Sequence, residues 1–458
     1  MATRDLNPPA DPRHARRGVW GWMLFDWANQ PFNTLIVTFV FAPYFIAEVV
    51  GDPVRGQAIW GTAAAIAGGS VALFAPLLGA IADRTGARKT WVLAFSVPYL
   101  AGCLGLWLAV PQMADPTVVL IAYALAFIGA EFGQVFTNAM LPDLGPRREI
   151  GRISGSGWAI GYVGGVVSLI LVLAFLAPAP GSERTLIGLA PVFGLDPALG
   201  EPARATGPLS AIWYLIFALP LFLWTPDIPR QPIAGAVRAG VTDLVTTVRQ
   251  IRRHRSLFTF LAASMIYRDG LVALFAFGGI YAAGVLGWGM FQLGIFGVIA
   301  AGVGAVGAWA GGRADRAFGP KPVIVFSIWC LIGVSLITLL TTRDSILFMA
   351  VPEGSNLPDH LFMVAGGILG AASGALQAAS RTLLVHQAEG RVSLTQAFGL
   401  FALSGRITAF IGPALIAAVT ALSGSQRLGI SPVILLYAAG LVLLYWVNTD
   451  EQPGDTPA

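Results

Sequence analysis

Apolar runs long enough to cross a bilayer recur along the whole chain. A helix that crosses the hydrocarbon core needs about 20 mostly apolar residues. Twelve stretches meet that length, at roughly 20–47, 57–82, 90–110, 117–140, 153–177 and 209–225, then 257–285, 289–312, 322–341, 360–384, 396–421 and 431–448. Short polar segments separate them. The longest, 226–256, divides the twelve into two sets of six. The pattern predicts an all-α membrane protein with five parts: a cytoplasmic tail over 1–18, a six-helix half over 19–225, a cytoplasmic central loop over 226–256, a second six-helix half over 257–448, and a cytoplasmic tail over 449–458.

Composition sharpens this reading. Of 458 residues, 56% are hydrophobic and only 11% are charged, whereas a soluble domain carries about 25% charged residues. That deficit excludes a water-facing surface over most of the chain. The 55 glycines and 30 prolines suit membrane helices, where neighbouring helices satisfy the backbone groups that these residues free. The polar stretch 1–18 leads into an apolar run too long for a secretory signal, so 20–47 reads as an uncleaved first span.

Basic residues set orientation. With the N-terminus cytoplasmic, about 21 of the 28 Lys and Arg fall on the inner side and about 5 on the outer, with Arg268 and Arg406 inside spans. Both termini are therefore expected in the cytoplasm, and the protein in a bacterial cytoplasmic (inner) membrane.

The two sets of six repeat a motif. After the second span the chain reads Gly79-Ala-Ile-Ala-Asp83-Arg84-Thr-Gly86-Ala-Arg88-Lys89, and after the eighth Gly311-Gly-Arg-Ala-Asp315-Arg316-Ala-Phe-Gly319-Pro-Lys321. Equivalent loops at equivalent places indicate duplication, a known transporter architecture. The loop resembles the signature of the major facilitator superfamily, and the resemblance covers nearly the whole chain. It implies twelve helices in two pseudo-symmetric halves, alternating access, and a gating role for Gly79, Asp83, Arg84, Arg88, Gly311, Asp315 and Arg316. Gly79 allows close helix approach. Asp83 can accept from an Arg or a helix N-terminus, and Arg88 with Lys89 can anchor the loop at the inner face.

A narrower resemblance follows. Phe25-Asp26-Trp27-Ala28-Asn29-Gln-Pro-Phe32 is similar to the opening of the family that includes the fungal autophagy-related vacuolar amino-acid effluxer. Phe136-Thr-Asn138-Ala139-Met-Leu141-Pro142, the glycine-rich stretch from Gly155 to Gly165, Gln377-Ala-Ala-Ser380-Arg381, and Phe398-Gly399-Leu400-Phe401 with Gly412-Pro413 fit it as well. Gln396 stands where that family often has Glu, and Arg406 where it often has Lys. The resemblance implies efflux of amino acids or similar small metabolites.

Ionisable residues inside spans cost about 2.5–3.5 kcal/mol each on insertion scales and mark functional sites. Five stand out: Asp26, Glu131, Arg268, Asp269 and Arg406. In the superfamily, spans one, four, seven and ten line the cavity, and four of the five fall on those spans. The proton-coupling carboxylate is expected among Asp26, Glu131 and Asp269, because burial favours a neutral carboxyl and a nearby Arg favours a charged one. A buried ion pair that only fixes helix register is the structural alternative. Asn29, Gln134, Asn138 and Gln377 are uncharged polar residues on cavity spans and candidates for substrate contact, or else for interhelical hydrogen bonds. Trp27, Trp158 and Tyr162 read as packing residues, and Gly157, Gly161 and Gly165 as a small-residue stripe against the eighth span.

Other chemistries have little support. His14, His254, His360 and His386 show no ligand spacing, so no metal is expected. Cys103 and Cys330 lie in apolar runs and suggest buried packing. No phosphate loop appears, so ATP-driven transport and a bound cofactor are not implied. The basic run 249–255 reads as inner-face charge on anionic lipid, not as a nucleic-acid site. No nucleophile–base set supports an enzyme. The expectation is a monomeric secondary transporter that handles a small-molecule substrate in the lipid bilayer, coupled to protons. A lipid flippase and a non-transporting membrane sensor remain as alternatives.

Overall fold

The computed structural model describes residues 12–448 apart from 179–181, 183, 228, 230–241, 243–245, 247–253, 289, 353 and 410. Among the described residues, eleven helices are long and apolar enough to cross a membrane. We number the helices α1 Arg16–Val49, α2 Arg55–Thr85, α3 Arg88–Leu108, α4 Thr117–Ala139, α5 Arg147–Leu176 and α6 Glu201–Trp224. Then come α7 Arg255–Leu286, α8 Met290–Phe318, α9 Pro320–Leu340 and α10 Leu357–Ala388. The expected span at 396–421 is two shorter helices, α11 Leu394–Ile407 and α12 Ile411–Ser423, before α13 Gln426–Tyr445 closes the series. Pro413 explains the interruption. Its ring removes an N–H and clashes with the carbonyl one turn earlier.

The first helix changes winding along its length. It is α-helical to Pro31, then makes π-helical turns over Phe32–Phe39 and Phe45–Val49. The Val40 amide donates to the Leu35 carbonyl, five residues back, at 3.1 Å, and Val50 does the same to Phe45. Pro31 and Pro43 lack the N–H that an α-helix needs at those positions, and the wider turns accommodate the loss. The buried stripe shifts accordingly. It runs Phe25, Ala28, Phe32, Ile36, then steps by five to Phe41, and on to Phe45 and Val49.

The chain folds as two compact units. One comprises Met1–Ser70, Thr85–Ile153 and Val163–Pro232; the other comprises Val71–Arg84, Ser154–Tyr162 and Ile233–Ala458. In both, polarity is arranged for lipid. Leu93, Val97, Ile121, Leu215, Val306 and Leu435 are exposed, while polar side chains such as Asp26, Ser154, Asp269, Ser380 and Arg381 are buried. That distribution is the inverse of a water-soluble fold and suits a bilayer, in which polar groups must find partners inside the protein.

The first unit has an aromatic core. Trp60 packs on Tyr123 with ring centroids 4.1 Å apart, and Phe41, Phe45 and Phe32 surround that pair. Trp27 stacks on Trp213 at 5.5 Å, as the packing reading expects. In the second unit the core is made of small residues. α8 and α10 approach so closely that a Cβ on Gly370 would lie 1.9 Å from the Ala300 carbonyl oxygen. One on Gly307 would lie 2.3 Å from the Ala371 Cα. Gly366, Gly370 and Gly374 form a small-residue stripe at intervals of four along α10. The α8 glycines Gly304, Gly307 and Gly311 therefore pack closely on α10. From α5 it is Gly155 that comes close to Ala308 and Gly312. Cys103 is buried as expected, but Cys330 is only half-buried.

Candidate functional site

In the first unit, the polar residues of α1 and α4 meet in one cluster. On α4, Glu131, Gln134 and Asn138 are half-buried while Phe132, Gly133, Val135, Phe136 and Thr137 are buried. Spacings of three and four put the three polar residues on one helical face. Across from them on α1 lie Asp26 and Asn29, 9% and 6% exposed. Gln134 joins the helices. Its Nε2 donates to Asp26 Oδ1 at 2.9 Å and to Asn138 Oδ1 at 3.2 Å. Asn29 Nδ2 donates to Gln134 Oε1 at 3.5 Å. Trp22 anchors the same pair of helices, its indole N–H donating to the Thr137 carbonyl at 2.7 Å. Four of the sequence-derived candidates, Asp26, Asn29, Gln134 and Asn138, are thus brought together, with Glu131 on the same face.

Two atoms here are left without partners. Among the described residues, Asn29 Oδ1 and Trp27 Nε1 are buried with no hydrogen-bond partner. Buried polar atoms are nearly always satisfied, so an orphan acceptor beside a buried carboxylate is a feature to account for.

In the second unit, Arg268 and Asp269 both face the interrupted α11–α12 segment but at different points. The Arg268 guanidinium donates to the Phe401 carbonyl at 2.9 Å and lies 4.3 Å above the Phe401 ring. Gly405 makes room for it, since a Cβ there would lie 2.4 Å from Arg268 Cζ. Asp269 is 2% exposed and lies beside Thr408, at the interruption itself, with its Oδ1 buried and without a hydrogen-bond partner among the described residues. Its backbone carbonyl packs on Gly412. The side chain of Arg406 lies outside the described residues. Gln377 lies beside Tyr162. Nearby, Arg381 donates to Ser154 Oγ at 2.9 Å and to the Ser154 carbonyl at 2.7 Å, with its guanidinium 5.8 Å from the Trp158 ring centroid.

The two signature loops hold their acids differently. Asp83 accepts a very short hydrogen bond from Ser393 Oγ, immediately before α11. Ser393 is the N-cap of that helix, its Oγ also accepting from the Gln396 amide at 3.4 Å. Gly79 lets α2 come close, a Cβ there falling 2.8 Å from the Thr395 carbonyl oxygen. The carboxylate thus sits at a helix N-terminus, as the sequence suggests. Asp315 in the second copy is 4% exposed and lies beside Thr382, with its Oδ2 buried and without a hydrogen-bond partner among the described residues. Gly311 packs on Ala375, and Arg84 and Arg316 are exposed.

Arg88 departs from expectation. It is no surface anchor: its side chain is 5% exposed and its Nη1 pairs with Asp143 Oδ2 at 2.6 Å. The backbone amides of Arg88 and Lys89 donate to the two oxygens of Asp227 at 3.0 and 2.9 Å, which caps α3. Burial follows from the tight turn before α3. Gly86 and Ala87 both have positive φ, 61° and 48°, and fold the loop back under the helix end.

Sequence reasoning missed Ser393, Asp143 and Asp227. Ser393 had a readable signal, since Ser393-Leu-Thr-Gln396 is a capping box before an apolar run. Asp143 and Asp227 had none, because their partners are 55 and 139 residues away. Among the described residues, no group of His, Cys, Asp and Glu could hold a metal ion.

Comparison with known proteins gives a consistent picture. Residues 48–455 match the family described as "Vacuole effluxer Atg22 like". The chain is 25% identical over 450 residues to a Bacillus subtilis protein named as an uncharacterized MFS-type transporter, YxiO, covering 95% of this chain and 97% of that one. It is 24% identical over 346 residues to autophagy-related protein 22-1 of Penicillium rubens, covering 69% of this chain and 55% of the fungal one. The chain thus spans about half the length of that fungal relative. Among solved structures, the E. coli fucose:proton symporter FucP superposes with a TM-score of 0.67 at 14% identity, covering 94% and 98% of the two chains. The proton:xylose symporter XylE superposes at 0.62 and 13%, covering 95% of each.

Proposed function

Because this chain belongs to the vacuole effluxer Atg22-like family and has the major facilitator fold, it is an integral membrane transporter, and we propose that it exports a small polar metabolite, an amino acid, in exchange for protons. Its relatives are transporters, not enzymes. The observation that carries the proposal is the Asp26–Gln134–Asn138–Asn29 cluster. A carboxylate 9% exposed on a membrane helix, tied through one amide to the facing helix, costs too much to persist without a use. Its neighbours are small uncharged amides, suited to a zwitterion and not to an apolar tail.

In this reading Asp26 is the coupling carboxylate, with Glu131 beside it on the α4 face, and Arg268, Asp269 and Arg406 set the charge of the α7 and α11–α12 side. Asn29, Gln134, Asn138 and Gln377 contact the substrate. The loops at Asp83 and Asp315 latch and release as access alternates, Asp83 through the N-cap of α11 and Asp315 through Thr382. The protein works as a monomer in a bacterial cytoplasmic membrane with both termini inside.

The test is flux in proteoliposomes with an imposed pH gradient, loaded with a panel of amino acids. Wild type moves one class in a gradient-dependent way, and Asp26→Asn inserts normally but loses the coupling. Unchanged coupled flux in Asp26→Asn removes the assignment. Absence of amino-acid flux in wild type removes the substrate class and moves lipids and other metabolites to the front of the panel.

A further inference from the structure

Hydrogen-bond chemistry fixes which way each amide of the α1–α4 cluster points. An ionised carboxylate only accepts. Asp26 Oδ1 therefore requires the NH2 of Gln134 at 2.9 Å, and the second N–H of that NH2 goes to Asn138 Oδ1 at 3.2 Å. Gln134 must then turn Oε1 toward Asn29, which answers with its own NH2 at 3.5 Å. What Asn29 has left is Oδ1, buried and without a partner among the described residues, in a side chain 6% exposed. The ionised state thus ends the chain in an unsatisfied acceptor.

A proton on Asp26 reverses every link. When the proton sits on Oδ1 the O–H donates, Asn138 turns to offer its NH2 as well, and Gln134 presents Oε1, with its two lone pairs, to receive both. Its NH2 then faces Asn29, which must present Oδ1 in return and project its own NH2 where the acceptor had been. Each step exchanges one donor for one acceptor, and only the single proton is added.

We propose that Asp26, Gln134 and Asn29 form an amide relay that makes the site a receptor for the protonated amine of the substrate when Asp26 is ionised, and expels that amine when Asp26 takes up a proton. The inference rests on the transport reading above and extends it: the substrate class is amine-bearing solutes, and proton and substrate exclude one another through a switch of hydrogen-bond polarity, not through direct competition for the carboxylate.

The surroundings favour such a switch. The titratable groups on helices packed against α1 include Glu131 and Tyr123 on α4, Tyr99 on α3, and Tyr214, Glu201 and Arg204 on α6, with Arg204 beside Tyr44 and Glu48 of α1 itself, and Asp143 just beyond α4 paired with Arg88. The 163–176 portion of α5 carries none, and the basic residues of α1 itself, Arg16 and Arg17, stand at its start. Glu131 adds negative charge to the same face as Gln134, which suits a cation. Close packing confines the α1 end of the relay. Gly164 lies against Trp27, a Cβ there coming 3.1 Å from the ring, and Gly165 lies against Thr34 and Gln30.

The experiment compares binding of three probes to the purified full-length protein at high and low pH: a branched-chain amino acid, its decarboxylated amine and its deaminated acid. Tryptophan fluorescence gives the readout. Wild type should bind the first two, not the acid, and bind them about 10- to 100-fold more weakly once Asp26 is protonated, the factor that one hydrogen bond to a charged group carries. Gln134→Met, which also removes a substrate contact, should weaken amine binding at both pH values, and the affinity that remains should change by no more than about threefold over the same pH range, because Asp26 no longer reaches Asn29. A full pH dependence in Gln134→Met overturns the relay while leaving amine transport standing. Equal binding of the deaminated acid overturns the amine assignment. Absence of binding of all three by wild type removes both this inference and the amino-acid reading. Infrared difference spectra of wild-type protein need no variant. A carboxyl band that rises on acidification together with a change in the side-chain amide bands supports the relay, and a carboxyl band without any amide change overturns it.

Discussion

Replacing Gly370 by alanine should unseat α10 from α8. The added Cβ would lie 1.9 Å from the Ala300 carbonyl oxygen, with Ala300 C and Cα at 2.7 and 2.9 Å. A relaxed carbon–oxygen contact is about 3.3 Å, so the overlap exceeds 1 Å. All three obstructing atoms belong to the backbone, and no rotamer change relieves them. The helices must separate, and a gap of about 0.5–1 Å forfeits a quarter to a half of each dispersion contact along the seam. Overpacking of this kind costs about 1–3 kcal/mol. The better helix propensity of alanine returns up to about 1 kcal/mol. We expect a net loss of about 1–2 kcal/mol. Gly333 in α9 is the control, because nothing lies within 4 Å of its Cβ position, so Gly333→Ala should gain about 0.5–1 kcal/mol. Thermal unfolding of detergent-solubilised protein, followed by tryptophan fluorescence, should rank Gly333→Ala at or above wild type and Gly370→Ala clearly below. Ala300→Gly should fail to rescue, since the clash is with a carbonyl and not a methyl. A Gly370→Ala protein that melts with wild type would refute the packing argument.

Three further outcomes can be measured. Arg88→Met leaves Asp143 without its partner in a site where the two side chains are 5% and 20% exposed, and should cost about 3 kcal/mol, the low end for a broken buried pair; a loss under about 1 kcal/mol in the same melting assay contradicts this. Asp83→Asn and Ser393→Ala should be non-additive by about 1 kcal/mol or more, because each removes the same charge-assisted hydrogen bond; additive losses separate the two residues. Gly405→Ala forces out the end of the Arg268 side chain, a flexible group, and forfeits its stacking on Phe401, worth about 1 kcal/mol, while transport in proteoliposomes falls more than stability does; unchanged transport removes Arg268 from the working site.

How much of this was readable in advance follows from the kind of signal each feature leaves. The membrane helices were legible, because an unbroken run of about twenty apolar residues has few places to go but the interior of a bilayer. The joint at α11–α12 was not, since hydropathy runs straight through 396–421 and only Pro413 hints at it. Asp26, Asn29, Gln134 and Asn138 could be nominated from their polarity, but nothing in a single sequence tells that Gln134 would bridge the other three. That depends on the rotation of α4 about its axis. Arg88 misled because a basic residue at a loop edge usually faces lipid headgroups, and the turn at Gly86–Ala87 that buries it is a tertiary matter. The glycines of α8 were read as a packing surface, but their tight seam with α10 was not named: small residues announce close approach without naming all that approaches.

The five-residue steps in α1 split that helix into two segments that are out of phase. The first is indexed so that Asp26 and Asn29 look toward α4, and the second so that Phe41 and Phe45 look toward Trp60. Each wide turn acts like an inserted residue. Deleting one residue between Asn33 and Val40 would therefore absorb the wide turn and keep both segments on their faces, whereas α-winding with that residue retained would leave the first segment where it is and rotate everything beyond it by about 100°, one position of a 3.6-residue turn. The aromatic pocket around Trp60 would then lose its plug while the polar cluster stayed intact. The two ends of this helix are thus tuned separately, and the frame between them is set by a count of residues, not by their identity.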